Sequence, residues 1–401
     1  MLKDKLEFDP FSDDYFNGAY ETYRRMREEA PVYYSEKYDF YALSRHADVA
    51  DGHKNFETYS SADGVDLGSI QSGQPPMHKS IIVMDPPEHR NMRGLVNKVF
   101  TPRAIGELKP LVTDLIDRHL GAADPANFDV VQDFSALFPI EVITTMLGVP
   151  EERRGQIRLW LDEFLHRDPG EVKISEAGLQ AALQMVVVYY QVVKERRACP
   201  RNDMISDLVS ARVRRENGEL TGLDNTEIAQ FALVLGGAGA VTVTRLVASM
   251  AVLFAQHPEQ WEKLQADRSK IPAAVEEVLR FEPPTQYNVR RSTKDVTLHG
   301  VTIPAGKPVF VLIGAANRDP DVWCDPDVFD IDRERVRAQN LGFGVGIHTC
   351  LGAALARMES VIALERLLDY MPRYEVDWDA CRRVNMQNLA GWSNVPVRVI
   401  R

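Results

Sequence analysis

The sequence contains few cysteines, and none of them stands in a paired motif. The 401 residues include four, Cys199, Cys324, Cys350 and Cys381, which lie far apart in the chain. Zinc sites and thioredoxin-type redox sites are built on C-x-x-C pairs, and secreted disulfide frameworks need regular cysteine spacing, so the spacing argues against all three. Isolated cysteines are typical of a reducing compartment, and we therefore expect a cytoplasmic protein.

The sequence also lacks an excess of positive charge. Lysine and arginine together number 47, against 58 aspartate and glutamate residues, which gives a formal net charge of −11. Nucleic acids and anionic membrane surfaces attract basic proteins, so we expect neither as a partner. The first residues, Met1 to Glu7, are charged and contain no apolar segment, so we expect no membrane anchor.

One apolar stretch, Phe231 to Phe254, is long enough to raise the question of a membrane span. It contains Arg245 and a glycine-rich cluster at positions 236–239, so a buried helix through the middle of the molecule is the better interpretation. Each glycine costs a helix interior about 1 kcal/mol relative to alanine. This cost indicates the close approach of a ligand or a local widening of the helix.

A glycine-rich loop precedes Cys350. Glycines alternate at positions 342, 344 and 346, in a stretch that favours neither helix nor strand, and apolar residues recur at helical spacing from Leu351 onwards. Cys350 therefore lies where a loop enters a helix. The unpaired N–H groups and the dipole of the first helical turn favour an anion, so we expect a lowered pKa and a thiolate at Cys350.

Spacing alone leaves a structural role for Cys350 open, because free cysteines usually behave as small buried hydrophobic residues. A dinucleotide-binding loop does not fit. Thr349 stands where the third glycine of G-x-G-x-x-G is required, and no strand with a matching acidic residue follows.

Resemblance to a known family decides between these roles. The residues that carry it are Phe343, Gly344, Gly346, His348, Cys350 and Gly352. Their order resembles F-G-x-G-x-H-x-C-x-G, the haem-ligand signature of the cytochrome P-450 family. The resemblance implies that Cys350 is the axial thiolate on the iron of haem b and that His348 meets a haem propionate. It also places Phe343, Gly344 and Gly352 at the cofactor. Thiolate ligation favours cleavage of the O–O bond.

Two further segments resemble parts of the same family that bind haem. The stretch 85–89 reads as a helix start, with Asp85 as a capping acid and prolines in the first turn, and His89 and Arg93 share one helix face. Scattered charge on a solvated face is the ordinary alternative. The resemblance implies instead that His89 and Arg93 bind a propionate, as does Arg290, with Arg291 a weaker substitute.

The central apolar helix carries the predicted oxygen-activation site. Residues 238–242 align with the family pattern A/G-G-x-acid-Thr, which retains Thr242 and places Val241 where the acid is expected. Both residues are predicted catalytic positions. A threonine hydroxyl is a poor proton source at neutral pH. Because Val241 cannot carry protons, we expect them to arrive through ordered water or from a polar group on the substrate.

A charged pair, Glu277 and Arg280, lies three residues apart in a helix that starts at Pro272. Such pairs are usually surface features of little energetic consequence. Apolar neighbours and the resemblance to E-x-x-R indicate a buried structural network here, completed by Arg333.

The resemblance implies a mainly α fold with a small β-rich part, built as one domain over residues 1–401 around a long central helix and a buried haem. Another helix-cap prediction is Ser44, at the start of a helix that follows two short strands. The substrate pocket is predicted to be mostly apolar, with Gln286, Asn288 and Gln387 as orienting groups.

The expected activity is insertion of one oxygen atom from O2 into a largely apolar small organic molecule. Electrons from NAD(P)H are expected through a separate ferredoxin- or flavodoxin-type carrier, which would dock near Cys350 at Arg103, Arg337 or Arg357. The alternatives are a peroxide-using or oxidative-coupling haem enzyme, which Val241 favours, and a non-enzymatic haem sensor.

Overall fold

The computed structural model describes residues 5–74, 80–97, 99–215, 218–334 and 339–400. Three sequence predictions fall wholly or partly outside this range. They concern residues 1–4 of the charged N-terminus, Arg337, and residues 75–79 of the stretch 60–80, which is rich in glycine, serine, proline and aspartate and which the resemblance implies to be a loop that covers the substrate.

Helices make up most of the described chain, as predicted. They are α1 Asp13–Gly18, α2 Tyr20–Glu29, α3 His46–Lys54, α4 Leu67–Ser72, α5 Glu88–Val96, α6 Pro102–Glu107, α7 Lys109–Ala122, α8 Phe138–Leu147, α9 Glu151–Leu165, α10 Glu176–Ala198, α11 Met204–Ser210, α12 Asn225–Gln256, α13 Pro258–Ala266, α14 Ile271–Phe281, α15 Ile313–Ala316 and α16 Ala353–Tyr370. A π-helix, Val130–Ser135, precedes α8, and single 3₁₀ turns lie at Ile81–Val83 and Arg268–Lys270.

The strands are short. They are β1 Val32–Ser35, β2 Phe40–Leu43, β3 Tyr59–Ser60, β4 Phe128–Asp129, β5 Arg212–Arg214, β6 Leu220–Gly222, β7 Tyr287–Ser292, β8 Val296–Leu298, β9 Val301–Ile303, β10 Pro308–Leu312, β11 Arg373–Val376, β12 Arg382–Arg383, β13 Trp392–Asn394 and β14 Pro396–Ile400. The main sheet has the order β1-β2-β10-β7-β3, with β10 parallel to β2 and the other neighbours antiparallel. A second sheet has the order β11-β14-β4, and three two-stranded pairs complete the β part.

Helix α12 runs through the largest hydrophobic cluster. Its 32 residues span about 48 Å at 1.5 Å per residue. Asp224 and Glu227 close its N-terminus in a reciprocal capping box, with both backbone-to-carboxylate distances at 2.8 Å. The predicted buried central helix is confirmed.

The glycines of α12 make room for neighbouring helices. A Cβ at Gly236 would lie 2.3 Å from the hydroxyl of Tyr189 on α10, and one at Gly239 would lie 2.9 Å from Ile143 on α8. These distances are shorter than real Cβ contacts. The glycines therefore admit protein side chains, which the sequence interpretation did not anticipate.

Two helical stretches of the described chain, Val130–Leu147 and Asn225–Gln256, are long and apolar enough to cross a membrane by length and composition. The most apolar windows within them are 72% and 67% buried inside the protein. This burial is what core helices show.

Two predicted helix caps were wrong. Helix α3 begins at His46 with Arg45 at the cap position, and the Ser44 hydroxyl donates instead to the carbonyl of Pro31. Helix α5 begins at Glu88, and the Asp85 carboxylate accepts hydrogen bonds from Ser60 and Ser61. In both cases the side chain that the local pattern predicted to cap the helix forms a hydrogen bond with a residue distant in sequence instead.

Candidate active site

The glycine-rich loop folds back on itself before α16. Gly344 and Gly346 adopt positive φ angles of 64° and 83°, and a Cβ at Gly346 would lie 2.8 Å from the carbonyl oxygen of His53. The Cys350 N–H donates to the Phe343 carbonyl at 2.8 Å. Only glycine fits these positions without strain, and the resulting turn holds Cys350 at the entrance to α16 with its side chain exposed.

The electrostatics at Cys350 differ from the sequence prediction. The Cys350 side chain is exposed, but desolvation by the surrounding protein raises its pKa, while an N–H of Gly352 and the nearby Arg93 and Arg357 act in the opposite direction. The expected lowered pKa was therefore wrong for the free thiol. The helix itself begins only at Ala353, so its dipole acts from a turn away. Binding to a metal ion deprotonates a thiol directly, and a thiolate ligand does not require a lowered pKa beforehand.

Arg290 supplies a buried positive charge near this loop. It lies on β7 opposite Val309, and its guanidinium donates to the carbonyl of the adjacent Val289 at 2.9 Å. Burial lowers the pKa of Arg290 to about 10, with Asp85 opposing this shift. No carboxylate in the described ranges lies within salt-bridge distance of Arg290. Arg291, the weaker candidate, pairs with Asp63 at 2.6 Å.

Two histidines, His53 and His348, lie near the charge of Arg290, and a third, His89, lies next to His348. The rings of His89 and His348 lie 4.4 Å apart. Burial lowers the pKa of His348 to about 2, helped by Arg290, and burial lowers the pKa of His53 to about 3 for the same reasons. The Nε2 atoms of all three rings are buried and lack a hydrogen-bond partner. His53, on α3, was missed from the sequence, because it lies outside every motif and reaches the loop only through the fold.

Arg93 ties α5 to the cysteine loop. Its two terminal nitrogens donate to the carbonyls of Ile347 at 3.0 Å and Thr349 at 2.5 Å. The helix face shared by His89 and Arg93 therefore points at the loop, and Arg93 combines positive charge with a positioning role.

The surroundings of Cys350 fit haem b. Arg93 lies near the exposed thiol, the buried Nε2 atoms of three histidines lack a hydrogen-bond partner, and Arg290 has no carboxylate partner among the described residues. Buried polar groups are normally hydrogen-bonded, so unpaired donors of this kind indicate a missing anionic ligand. The two propionates of haem are carboxylates, and its iron accepts a thiolate ligand. Gly352, where an added Cβ meets nothing within 4 Å, leaves open space next to the sulfur.

Val241 and Thr242 lie on neighbouring faces of α12. The Thr242 hydroxyl donates to the carbonyl of Ala238 one turn earlier at 3.0 Å. Val241 is buried and borders a cavity of about 20 Å³, which is enough for one water molecule. The same cavity is lined by Asp162 and Arg245.

Asp162 and Arg245 form an ion pair between α9 and α12 at 3.1 Å. Arg245 also donates to the carbonyl of Trp392 at 2.7 Å, while its Nε has no partner. Burial raises the pKa of Asp162 against the pull of Arg245 and Arg158. The pair borders an open cleft of about 330 Å³ next to the small cavity. Sequence reasoning missed this acid, since nothing local connects residue 162 to residue 241.

The Glu277 network lies behind the cysteine loop. Glu277 accepts from Arg280 at 2.7 and 2.9 Å and from Arg333 at 3.0 Å. Arg280 in turn donates to the carbonyl of Asn317, whose side chain holds Asn340 and the N–H of Leu341. The predicted buried network is confirmed by these contacts, and it reaches the start of the loop that ends in Cys350.

The predicted docking residues for an electron carrier already have acidic partners. Arg103 pairs with Glu107 at 3.2 Å and Arg357 with Glu276 at 2.5 Å. Arg357 also lies over the Phe343 ring, 4.5 Å from its centre. It therefore covers the outer side of the cysteine loop.

Comparison with known proteins gives one consistent answer. The family model described as Cytochrome P450 matches residues 156–379. The chain is 39% identical over 399 residues to a protein named putative cytochrome P450 123 from Mycobacterium bovis, covering 98% of this chain and 97% of the other. It is 36% identical over 377 residues to the erythromycin C-12 hydroxylase of Saccharopolyspora erythraea, covering 93% and 92%.

A solved structure shows the same fold. CYP109E1 from Bacillus megaterium in complex with testosterone superposes with a TM-score of 0.86 at 29% identity, covering 96% of this chain and 98% of the other. The predicted fold is confirmed, and haem is the cofactor that the family implies. Over nearly the whole chain, the sequence is more than 30% identical to two cytochrome P450 relatives, one of which is named as a hydroxylase. The chain therefore belongs to the cytochrome P450 family, whose members are monooxygenase oxidoreductases.

Proposed function

We propose that residues 1–401 form one haem domain that inserts an oxygen atom from O2 into a largely apolar small organic molecule in the cytoplasm. Electrons come from NAD(P)H through a separate ferredoxin- or flavodoxin-type carrier, as the resemblance to the family implies. The observation that carries the proposal is the exposed Cys350 near a buried arginine, Arg290, that has no carboxylate partner in the described chain, and near three buried imidazole nitrogens without a hydrogen-bond partner.

Each side chain has a defined task in this proposal. Cys350 binds the iron as a thiolate, and Arg290, His89 and His348 donate to the propionates. Arg93 keeps the loop fixed on α5 while adding positive charge. When bound, haem supplies a thiolate-ligated iron that activates O2. Phe343, Gly344 and Gly352 shape the loop so that a flat molecule lies close to the backbone.

The substrate is proposed to be largely apolar. Two of the three polar groups predicted to orient it are engaged inside the protein. Gln286 is buried and donates to the carbonyl of Pro283 at 2.7 Å, and Gln387 accepts from Arg167 at 3.2 Å. Relatives whose names or titles mention erythromycin and testosterone, both bulky and carbon-rich, support this class of substrate.

Protons are proposed to enter beside Val241. Among the described residues, no carboxylate is hydrogen-bonded to Thr242, whose hydroxyl donates to Ala238. Asp162 borders both the open cleft and the small cavity that reaches Val241, and burial raises its pKa above the ordinary value of an aspartate. Water in this cavity then carries protons toward the Thr242 hydroxyl, which holds the last water in place.

The test compares two oxidant supplies for the purified, haem-loaded protein. Turnover of a substrate found by a ligand-induced haem spectral screen is measured with NAD(P)H plus a surrogate ferredoxin pair, and separately with hydrogen peroxide. Product formation that requires the electron carrier supports the proposal. Faster turnover with peroxide alone would favour the peroxide-using alternative, and absence of turnover with both would favour a haem sensor.

A further inference from the structure

The outer face of α10 carries an apolar stripe. Leu179, Leu183, Val187 and Tyr190 recur at intervals of three or four residues, and each exposes between 37% and 56% of its surface. Leu159 on the adjacent α9 is 52% exposed. These five account for half of the ten large hydrophobic residues exposed in the described chain. Single exposed apolar residues are normal, but a concentration on one helix pair indicates an interaction surface.

The composition around the stripe is unusual for this chain. Residues 177–193 contain no charged side chain, although charged residues make up 26% of the sequence. The outward polar groups beside the stripe are the neutral Gln180, Gln184 and Gln191. Charges return only at the ends of this run, with Glu176 in the first turn and Lys194 towards the C-terminus.

The end charges define the partner. At 100° per residue, residues 176, 183, 187 and 194 project from the helix axis within about 20° of one common direction. Residues 176 and 194 are equally far from position 185 along the helix, and so are residues 183 and 187. When two copies of α10 pack antiparallel, Glu176 of each copy faces Lys194 of the other, and Leu183 faces Val187. A parallel arrangement would oppose like charges at both ends.

We propose that the α10 stripe is the interface of a two-fold symmetric dimer formed with a second copy of this chain. The surface is self-complementary in both apolar contacts and charge, as a closed two-fold interface requires. The run from residue 176 to residue 194 is about 27 Å long. One pair of helices covers less than the roughly 1,600 Å² of a standard stable interface, so the dimer is weak and depends on protein concentration.

The stripe lies on the helices that cover α12. A Cβ at Gly236 would meet Tyr189 of α10, and one at Gly237 would lie 3.1 Å from Leu161 of α9. Association through α10 therefore restrains the same two helices that pack over the predicted oxygen-activation site.

Sedimentation velocity on the full-length, haem-loaded protein, from low micromolar to near-millimolar concentration, tests the interface. The wild type is expected to show a monomer–dimer equilibrium. Leu183→Glu places like charges next to the two-fold axis and should weaken association at least about tenfold. Leu220→Glu changes an equally exposed apolar residue on β6 and should leave association unchanged.

Charge reversal tests the antiparallel geometry. Glu176→Lys alone, or Lys194→Glu alone, should weaken the dimer by about threefold to tenfold, and the double variant should restore wild-type association. If the single substitutions weakened the dimer merely by destabilising α10, the double variant, which carries both, would not regain wild-type association.

Three results would overturn the dimer. These are a wild type that stays monomeric throughout, a dimer that Leu183→Glu leaves intact, and a double variant no better than either single one. Binding of a monomeric wild type to neutral lipid vesicles, lost in Leu183→Glu, would assign the stripe to a lipid surface instead.

Discussion

Replacing Glu277 with glutamine removes a buried negative charge that two arginines share. Glu277 is 0% exposed and Arg280 is 1% exposed, so neither charge reaches solvent. The carboxylate accepts hydrogen bonds from Arg280, from Arg333 and from the N–H of Asp330 at distances between 2.7 and 3.1 Å. Glutamine preserves the size of the side chain, so the effect of lost charge is separated from that of an empty cavity.

The expected loss of stability follows from the burial. Breaking a buried ion pair costs about 3–5 kcal/mol, because the remaining charge is left without a partner. This is a large part of the 5–15 kcal/mol by which typical domains are stable. At roughly 2.1 cal/mol/K per residue, unfolding a chain of 401 residues has an entropy of about 0.8 kcal/mol/K. The midpoint of thermal unfolding should therefore fall by about 4–6 °C.

The assay measures the unfolding midpoint and the ratio of haem to protein after identical purification. The haem ratio should fall as well, because Arg280 reaches the cysteine loop through Asn317 and Leu341. Glu107→Gln is the matched control, since it breaks an exposed pair with Arg103 and should shift the midpoint by less than about 1 °C. If Glu277→Gln unfolds like Glu107→Gln and retains its haem, the network has no structural role.

Further outcomes are expected at the site. Cys350→His should retain some haem but lose the red-shifted Soret band of the reduced carbon monoxide complex, and an unchanged spectrum would contradict thiolate ligation. For apolar substrates without a hydroxyl group, Val241→Glu should improve the coupling of NAD(P)H oxidation to product formation, and Thr242→Ala should worsen this coupling. Tight coupling in the wild type, together with a Val241→Glu variant that only turns over more slowly, would refute the proposed route for protons. The haem-free protein should lose stability as the pH falls below about 6.5, because the unfolded chain binds a proton at His53 there and the folded chain, with a His53 pKa of about 3, does not. His53→Gln should therefore flatten the pH dependence of the unfolding midpoint relative to the exposed control His166→Gln, and equal slopes would contradict the burial of a neutral imidazole.

The elements that were predicted well are those whose causes are local. The apolar run from Phe231 to Phe254 is sufficient to identify α12, and the two short strands predicted before α3 are present as β1 and β2. Helix α14 likewise starts with Pro272 in its first turn. In each case the hydrogen bonds that stabilise the element lie within a few residues of the pattern that predicts it.

The errors arose where a distant segment competes for a side chain. Asp85 has the sequence context of a helix cap, but Ser60 and Ser61 take its carboxylate. The helix dipole at Cys350 favours a thiolate, but desolvation by the surrounding protein outweighs it and raises the pKa of the thiol. Desolvation depends on every atom that surrounds a group, and a motif records only those adjacent in the chain.

The sequence by itself determined the family, the thiol at the end of a glycine loop, and the loss of the acid next to Thr242. Only the tertiary structure decided what surrounds these groups. It brings His53 from α3 against the loop, and it brings Asp162 from α9 to Arg245, on the cavity that reaches Val241. The physical reason is that a buried charge or an unpaired imidazole is defined by its neighbours in space, and those neighbours lie on elements that pack together only in the folded chain.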